Sequence, residues 1–391
     1  MELNELCIKQ IQTGVDGDRL MNTAVALVEV PSPTRSAGRV ADRLADILLE
    51  DGFKVDRPVA NWPEAPAVAV WFDTGTSGRT LQFDGHLDTV HLPFVPPRVE
   101  GGRLYGSGCS DMKGGIAAFV EALRVLRDTD ALKGGGILLT AHDHHEGPWG
   151  DRRQLRALIE AGYKGDAVLL PEYLADRLPL AGRGMAIFEI TYNRDGEPVH
   201  EVLRDPETPD VLGAGAELVC SFQEMDQELE RITDAYAGRD SVFVGQFSSG
   251  EIYNQSPIAC SVNGTRRWVT PGMADQIELE LREKIGGVAK SRNLRFSADI
   301  SIQGDAFKVS EKDPIVTAFQ QAHQAVTGSP LPVGGKPFVD DGNTFSALGG
   351  IPPLTHGPAA LGAHTLNEEV SIDELIRVAQ VYALTAVGYC A

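Results

Sequence analysis

What most restricts the fold of this chain is a set of short, largely apolar runs that cannot be helices. Ala67–Phe72, Thr80–Phe83, Ile137–Ala141 and Ala167–Leu170 are four to six residues long. That length and composition suit strands buried on both faces of a sheet. Amphipathic stretches separate them. Residues 18–30 follow helical spacing up to Pro31-Ser32-Pro33. Residues 36–51 place Val40, Leu44, Ile47 and Leu48 on one face, with Gly52 as a stop. Ile116, Phe119, Val120 and Leu123 form the inner face of a helix after Asp111. Strands alternating with helices predict an α/β sheet with helices on both faces.

The pattern changes after Gly184. Ala186–Tyr192 reads as a strand, Asn193–Pro209 as a polar, Pro-rich loop, and about 215–236 as a long helix. Gln276–Arg282 alternates, with Ile277, Leu279 and Leu281 inward, and predicts another strand. From about 306 the first style returns, with helices expected over 311–327 and 371–387. The expected architecture is one α/β domain, residues 1–183 and 306–391, interrupted by an α+β unit, residues 184–305. At roughly 150 residues per domain, the length suits two.

The charge balance is 35 basic against 55 acidic residues, a net −20. Neither a nucleic-acid backbone nor an anionic membrane is expected as a partner, since both require clustered Lys and Arg. A small anionic ligand needs only local positive charge. Five cysteines stand far apart, at 7, 109, 220, 260 and 390. An odd, scattered set fits a reduced chain better than a disulfide framework. The N-terminus lacks the basic, apolar and small-residue order of a secretion signal, and no apolar run is long enough to span a bilayer. The expectation is a cytoplasmic protein.

Chemistry-bearing residues collect just after the apolar runs. Loops at strand C-termini are where α/β sheets place their sites. After Leu81–Phe83 comes Gly85-His86-Leu87-Asp88-Thr89, in which His86 and Asp88 point the same way if the strand continues. One can hold a metal while the other orients it. Gly108-Cys109-Ser110-Asp111 precedes a helix, so Asp111 is either a metal bridge or an N-cap. His142-Asp143-His144-His145-Glu146 closes Ile137–Ala141, Glu172 follows Ala167–Leu170, and His364 lies in Ala363–Glu368. Singly, each has an ordinary reading as a packed histidine or a loop acid. Together, imidazoles and carboxylates at strand ends suit Zn²⁺, Mn²⁺ or Co²⁺, one or two per chain.

Five segments, GHLDTVH (85–91), GSGCSDMKGG (106–115), HHEGP (144–148), GDAVLLPE (165–172) and GAHTLNE (362–368), give the chain a resemblance to the M20 family of metallopeptidases and amide hydrolases. That family includes acetylornithine deacetylase, succinyl-diaminopimelate desuccinylase and the glutamate carboxypeptidases. The likeness runs from about residue 20 to the end. It implies a zinc-exopeptidase-like catalytic domain with a mixed sheet, and an inserted domain that makes a homodimer. It further implies that His86, Asp111 and Glu172 hold one metal and that Asp111, Glu146 and His364 hold the other. Asp88 would orient His86, and the Asp111–Met112 peptide would be cis. His200 would reach a partner subunit's site, while Arg282 and Asn343 occupy positions tied to substrate binding in relatives.

The sequence also departs from the family. Relatives carry a Glu-Glu pair, general base then ligand. Aligning Gly147-Pro148 puts His145 at the base and Glu146 at the ligand; a shift of one would put His144 and His145 there instead. Histidine can act as a base, with its pKa near neutrality. Trp268 replaces a common asparagine and would offer a flat aromatic surface. Arg266 and Arg267 either attract a carboxylate or sit in solvent. The expected activity is metal-dependent hydrolysis of an amide-type C–N bond in a small carboxylate-bearing molecule. The alternatives are hydrolytic deamination of an aromatic amine and a metal-retaining scaffold without catalysis.

Overall fold

A computed structural model describes residues 3–391. The chain divides into two compact units. The first runs up to Leu180 and resumes over Val309–Gly334 and Asp340–Ala391; the second comprises Ala181–Lys308 and Gly335–Val339.

The first unit is built on a six-stranded mixed sheet. Its order is Val55–Asp56, Val68–Asp73, Gly136–His142, Thr80–His86, Ala167–Leu170, Pro353–Thr355. The last four strands run parallel and the first two antiparallel. Side chains alternate across a strand, so a run such as Ala167–Leu170 is apolar throughout only if both faces are covered. All four of its residues are buried. Val168 and Leu170 cluster with Leu155, Ile159, Phe345 and Ile351. Helices Lys113–Thr129 and Ile372–Cys390 pack on Thr80–His86, and helix Gly38–Glu50 packs on Val68–Asp73. Helix Lys113–Thr129 starts at very close range. A Cβ on Gly115 would lie 2.6 Å from the Pro171 carbonyl oxygen, so only glycine lets the helix approach the segment that carries Glu172.

A second, four-stranded antiparallel sheet joins Ala360–Leu361, Glu369–Ser371, Arg103–Tyr105 and Arg98–Glu100 in that order. It brings the loop holding His364 beside the loop holding Asp111.

The second unit has an antiparallel sheet ordered Ser241–Ser249, Ala259–Trp268, Gly184–Asn193, Arg295–Gly304. Strand Gly184–Asn193 alternates cleanly. Ala186, Phe188, Ile190 and Tyr192 join the core, and the residues between them lie at least partly open. Helices Val211–Leu229 and Ala274–Ser291 supply that core with Leu218, Phe222, Ile277 and Leu281, among others.

Two sequence expectations fail in this unit. Gln276–Arg282 is not a strand but part of helix Ala274–Ser291. The buried residues are Ile277, Leu281, Ile285 and Val288, a helical spacing, while Leu279 is exposed. A seven-residue window shows period two only because it is too short to show 3.6. Arg282 therefore ends no strand. It lies on that helix and pairs with Glu278 one turn away, at 2.8 Å. The expected helix 215–236 starts earlier, at Val211, where the Asp210 carboxylate accepts from the Gly213 N–H, and ends at Leu229.

Among the described residues, no helix is long and apolar enough to cross a membrane.

Candidate metal centre

Parallel strands Thr80–His86 and Gly136–His142 pair from Thr80 opposite Gly136 to His86 opposite His142. Strand Ala167–Leu170 pairs in parallel with the same Thr80–His86. Three strands thus deliver their C-terminal loops to one edge of the sheet. His86 and Asp88 come from the first, His145 and Glu146 from the second, and Glu172 from the third.

His86 is fully buried. Its Nδ1 lies 2.9 Å from the main-chain oxygen of Asp88, while the Asp88 carboxylate is farther away, at 3.7 Å. A carbonyl accepts, so this contact puts the proton on Nδ1 and turns Nε2 inward. Asp88 therefore orients His86 through its backbone. Its carboxylate has another task, accepting from the N–H groups of His145 (3.1 Å) and Glu146 (2.8 Å). One residue thus fixes two ligand-bearing loops.

Asp111 presents its two oxygens to two histidines. Oδ1 is 3.2 Å from His86 Nε2, and Oδ2 is 2.9 Å from His364 Nε2. His364 Nε2 also lies 3.3 Å from Glu146 Oε1. The Asp111–Met112 peptide is cis. Asp111 does not cap the following helix; Met112 stands at the N-cap, without a side-chain capping bond among the described residues. The loop bearing Asp111 is held by Glu368. The Glu368 carboxylate accepts from the N–H groups of Gly108 (2.7 Å), Ser110 (2.8 Å) and Asp111 (2.9 Å), and from Ser110 Oγ (2.8 Å).

Whether these groups fit a cation is tested by atoms left without partners. His86 Nε2 and Asp111 Oδ1 face each other, fully buried, yet neither has a hydrogen-bond partner among the described residues. Such atoms are rare in folded proteins because desolvating them is costly. A divalent ion between them would satisfy both. Three donor sets have their atoms within 4.8 Å of one another: His86 with Asp111 and Glu146, His86 with His145 and Glu172, and Asp84 with His142 and Asp341.

The electrostatics agree. Burial opposes charge on His86, but Asp111, Asp88 and Glu146 outweigh it and lift its pKa well above the usual value. Hydrogen bonds to Asp111 and Glu146 raise His364 to about 10. Burial, then the field of Asp111, pushes the Glu172 carboxyl up strongly. The acids thus gather more negative charge than their surroundings neutralise. A divalent cation would supply the missing positive charge, and metal binding at such sites displaces protons.

His144 and His145 part company. His144 is buried edge-on against Trp62, with ring centroids 4.4 Å apart, and burial lowers its pKa. His145 stacks on His86 at 3.9 Å with planes 10° apart, and its Nε2 lies 3.8 Å from Glu172 Oε1. His145, and not His144, therefore faces His86 and Glu172. His145 Nδ1 donates to Asp341 Oδ2 at 2.8 Å. Asp341 also faces His142 (3.5 Å) and Arg152 (3.4 Å). Burial acts to raise the Asp341 carboxyl, but His145, His142 and Arg152 hold it far below the usual range.

The remaining sequence candidates divide. Asn343 is buried in the short helix Asp341–Thr344, where its side-chain oxygen accepts from the Asp340 N–H as part of a capping box. His200 is exposed in the second unit, with its ring held by Asn254 at 3.0 Å. Arg267 is half-buried there, and burial and Arg183 lower its pKa. The second unit corrects two expectations. Arg266 is not in solvent but buried, paired with Asp240 at 3.0 Å. Trp268 offers no aromatic surface. It is fully buried, and its Nε1 donates to Asp305 at 2.5 Å. Strand alternation carries that signal, since Val262, Arg266 and Trp268 share the inner face of Ala259–Trp268.

The sequence alone assigns no role to Asp341, Arg152 or Glu368. Asp341 lies 196 residues from His145, and Glu368 lies 258 from Ser110. Local spacing cannot reveal such pairs.

Known proteins resemble this chain over most of its length. Succinyl-diaminopimelate desuccinylase of Methylorubrum extorquens is 26% identical over 385 residues, covering 94% of this chain and 97% of its own. The enzyme of that name from Alkalilimnicola ehrlichii is 29% identical, covering 93% and 96%. Among solved structures, aminopeptidase PepT of Bacillus cereus superposes with a TM-score of 0.80 at 19% identity, covering 96% of this chain and 99% of that one. An M20 metallo-carboxypeptidase of Sulfolobus solfataricus gives 0.74 at 16%, covering 95% and 99%. The profile of peptidase family M20/M25/M40 matches residues 83–387, well over half the chain, and therefore this protein belongs to that family of metal-dependent hydrolases acting on C–N bonds.

Proposed function

We propose that the chain hydrolyses the amide bond of a small N-acylated amino acid bearing at least one free carboxylate. The observation that carries this reading is the Asp111 carboxylate, which turns one oxygen to His86 and the other to His364. That arrangement supports two neighbouring metal positions, one with His86 and Glu172, the other with Glu146 and His364. Divalent ions held there supply a more acidic water and a polarised carbonyl. His145 takes the proton of the attacking water through Nε2. It returns that proton to the departing nitrogen as the C–N bond breaks. Oxygen from water ends on the acyl carbon and hydrogen on the amine, so no oxidant or further reactant is needed. The names of the matched desuccinylases support an acyl group that carries its own carboxylate. With Trp268 buried, the motive for an aromatic amine as substrate is weaker.

The test is a substrate panel on protein purified without chelator, with manganese, zinc and cobalt each supplied. N-acyl amino acids and dipeptides are set against aryl amines. The expected result is turnover of N-acyl amino acids that chelation abolishes and metal restores. Turnover of aryl amines alone would overturn the reading. Absence of bound metal, with no gain on adding it, would favour the scaffold instead.

We also propose a two-fold homodimer made by the second unit. Its sheet has Ser241–Ser249 and Arg295–Gly304 as outer strands, and the first exposes Phe243 and Phe247. Pairing with a second copy would cover such an edge. In this reading the exposed His200 completes the partner's site. Mixing inactive His86→Ala and His200→Ala chains under conditions of subunit exchange should restore activity, because one composite site of the mixed dimer is intact. Silence after demonstrated exchange would count against the trans role.

A further inference from the structure

We propose that Asp341 is the positioning residue that makes His145 a base, by holding the ring proton on Nδ1 and leaving a bare Nε2 facing the metal centre. This rests on the hydrolase reading above. A carboxylate only accepts, so the 2.8 Å contact requires hydrogen on Nδ1. In a neutral imidazole the lone pair is then on Nε2. That atom lies on the side of Glu172 Oε1, 3.8 Å away, and stacking on His86 limits rotation of the ring.

Asp341 is itself held from behind. Its Oδ2 faces His142 Nε2 at 3.5 Å, and its Oδ1 faces Arg152 Nε at 3.4 Å. His142 Nε2 also lies 3.2 Å from Asp84 Oδ2, and Thr140 Oγ1 donates to Asp84 Oδ1. Gln82 Nε2 donates in turn to Thr140 Oγ1 at 2.8 Å. A buried polar chain thus runs from the interior of the parallel sheet to His145.

This chain matches what the histidine needs. A glutamate base can accept through either oxygen and has no tautomer to set. An imidazole presents a bare nitrogen to the water only if the other nitrogen keeps the proton, and a carboxylate partner enforces that choice. Replacing Asp341 by asparagine would keep the shape but allow the amide to donate to Nδ1, moving the proton to Nε2.

The experiment has two arms. In the first, the zinc-loaded enzyme labelled with ¹⁵N-histidine is examined by long-range ¹H–¹⁵N correlation, with His145 assigned from a His145→Gln variant. Hydrogen on Nδ1 and a bare, unligated Nε2 are expected; the opposite tautomer, or a ring shifted as a metal ligand, would overturn the proposal. This arm needs no substrate, so it decides the inference even if every compound of the panel proves inert and the hydrolase reading fails. In the second arm, Asp341→Asn should lower kcat by roughly 10²–10⁴-fold, with KM and bound metal changed less than about threefold. In a His145→Glu background that loss should disappear, because the carboxylate base has no tautomer to lose. An equal loss in both backgrounds, or release of metal by Asp341→Asn, would make Asp341 a structural prop and sink the idea. If Asp341→Asn does not fold, the spectrum of the native protein decides between the two tautomers.

Discussion

His86→Ala should bind less metal and lose hydrolysis by on the order of 10³-fold or more. His86 is fully buried at the end of a central strand, and it belongs to two of the candidate donor sets. The same substitution leaves Asp111 and Glu172 close together in a buried space with one fewer positive partner. Without a cation the Glu172 carboxyl, already pushed up by burial and by Asp111, favours its protonated form, which is a poor ligand. Elemental analysis after dialysis reads the metal directly. Thermal unfolding gives a second reading, because an ion that binds only the folded state raises Tm with concentration. The wild type should gain stability from added manganese or zinc, and the variant should gain much less. Full activity and full metal content in His86→Ala would sink the site.

Glu368→Ala should have a large effect on stability and metal affinity, although Glu368 touches neither metal position in the ligand scheme. Its carboxylate accepts from three main-chain N–H groups and the Ser110 hydroxyl in the loop that carries Asp111. Removing it leaves several buried donors unsatisfied, at about 1–3 kcal/mol each before water enters the gap. A net destabilisation of about 3–5 kcal/mol is expected. Loosening the loop also frees Asp111, and losing such a support typically weakens metal affinity by about 10–100-fold. Chemical denaturation with and without metal separates the two effects, since the second vanishes in the apo protein. Glu368→Gln keeps the shape but turns an amide NH₂ toward donors, so it should fall between alanine and wild type. A Glu368→Ala protein with native stability and affinity would show that the loop holds itself.

Much of this centre is legible in the sequence because its candidate residues follow runs whose burial is nearly complete. Leu81–Phe83, Ile137–Ala141 and Ala167–Leu170 can only be inner strands, and the residues just after them are His86, His145, Glu146 and Glu172. What is not legible depends on distance along the chain. Nothing near Asp341 says that it meets His145, and nothing near Glu368 says that it grips the Asp111 loop. Two further differences have local causes. Ile277, Leu279 and Leu281 mimic a strand until Ile285 and Val288 are counted. Trp268 suggests a substrate surface until it is placed on the strand face that it shares with Val262 in the core.

The pairing of Thr80–His86 with Gly136–His142 sets a rule about where this chain can change length. Their register is unbroken over seven pairs, ending at His86 and His142. One residue inserted within either strand would slip the ladder and turn the following side chains to the opposite face. His86 would leave the centre, or the His145–Glu146 loop would be displaced from Asp88. The turn at Gly101-Gly102 is different. It is exposed, both residues have positive φ, and it joins the outer strand Arg98–Glu100 to Arg103–Tyr105. Extra residues there cost only loop entropy, which grows slowly with length. For this protein, then, tolerance to insertion marks out the chemistry: rigid in residue count along the inner strands, and open to growth at the rim.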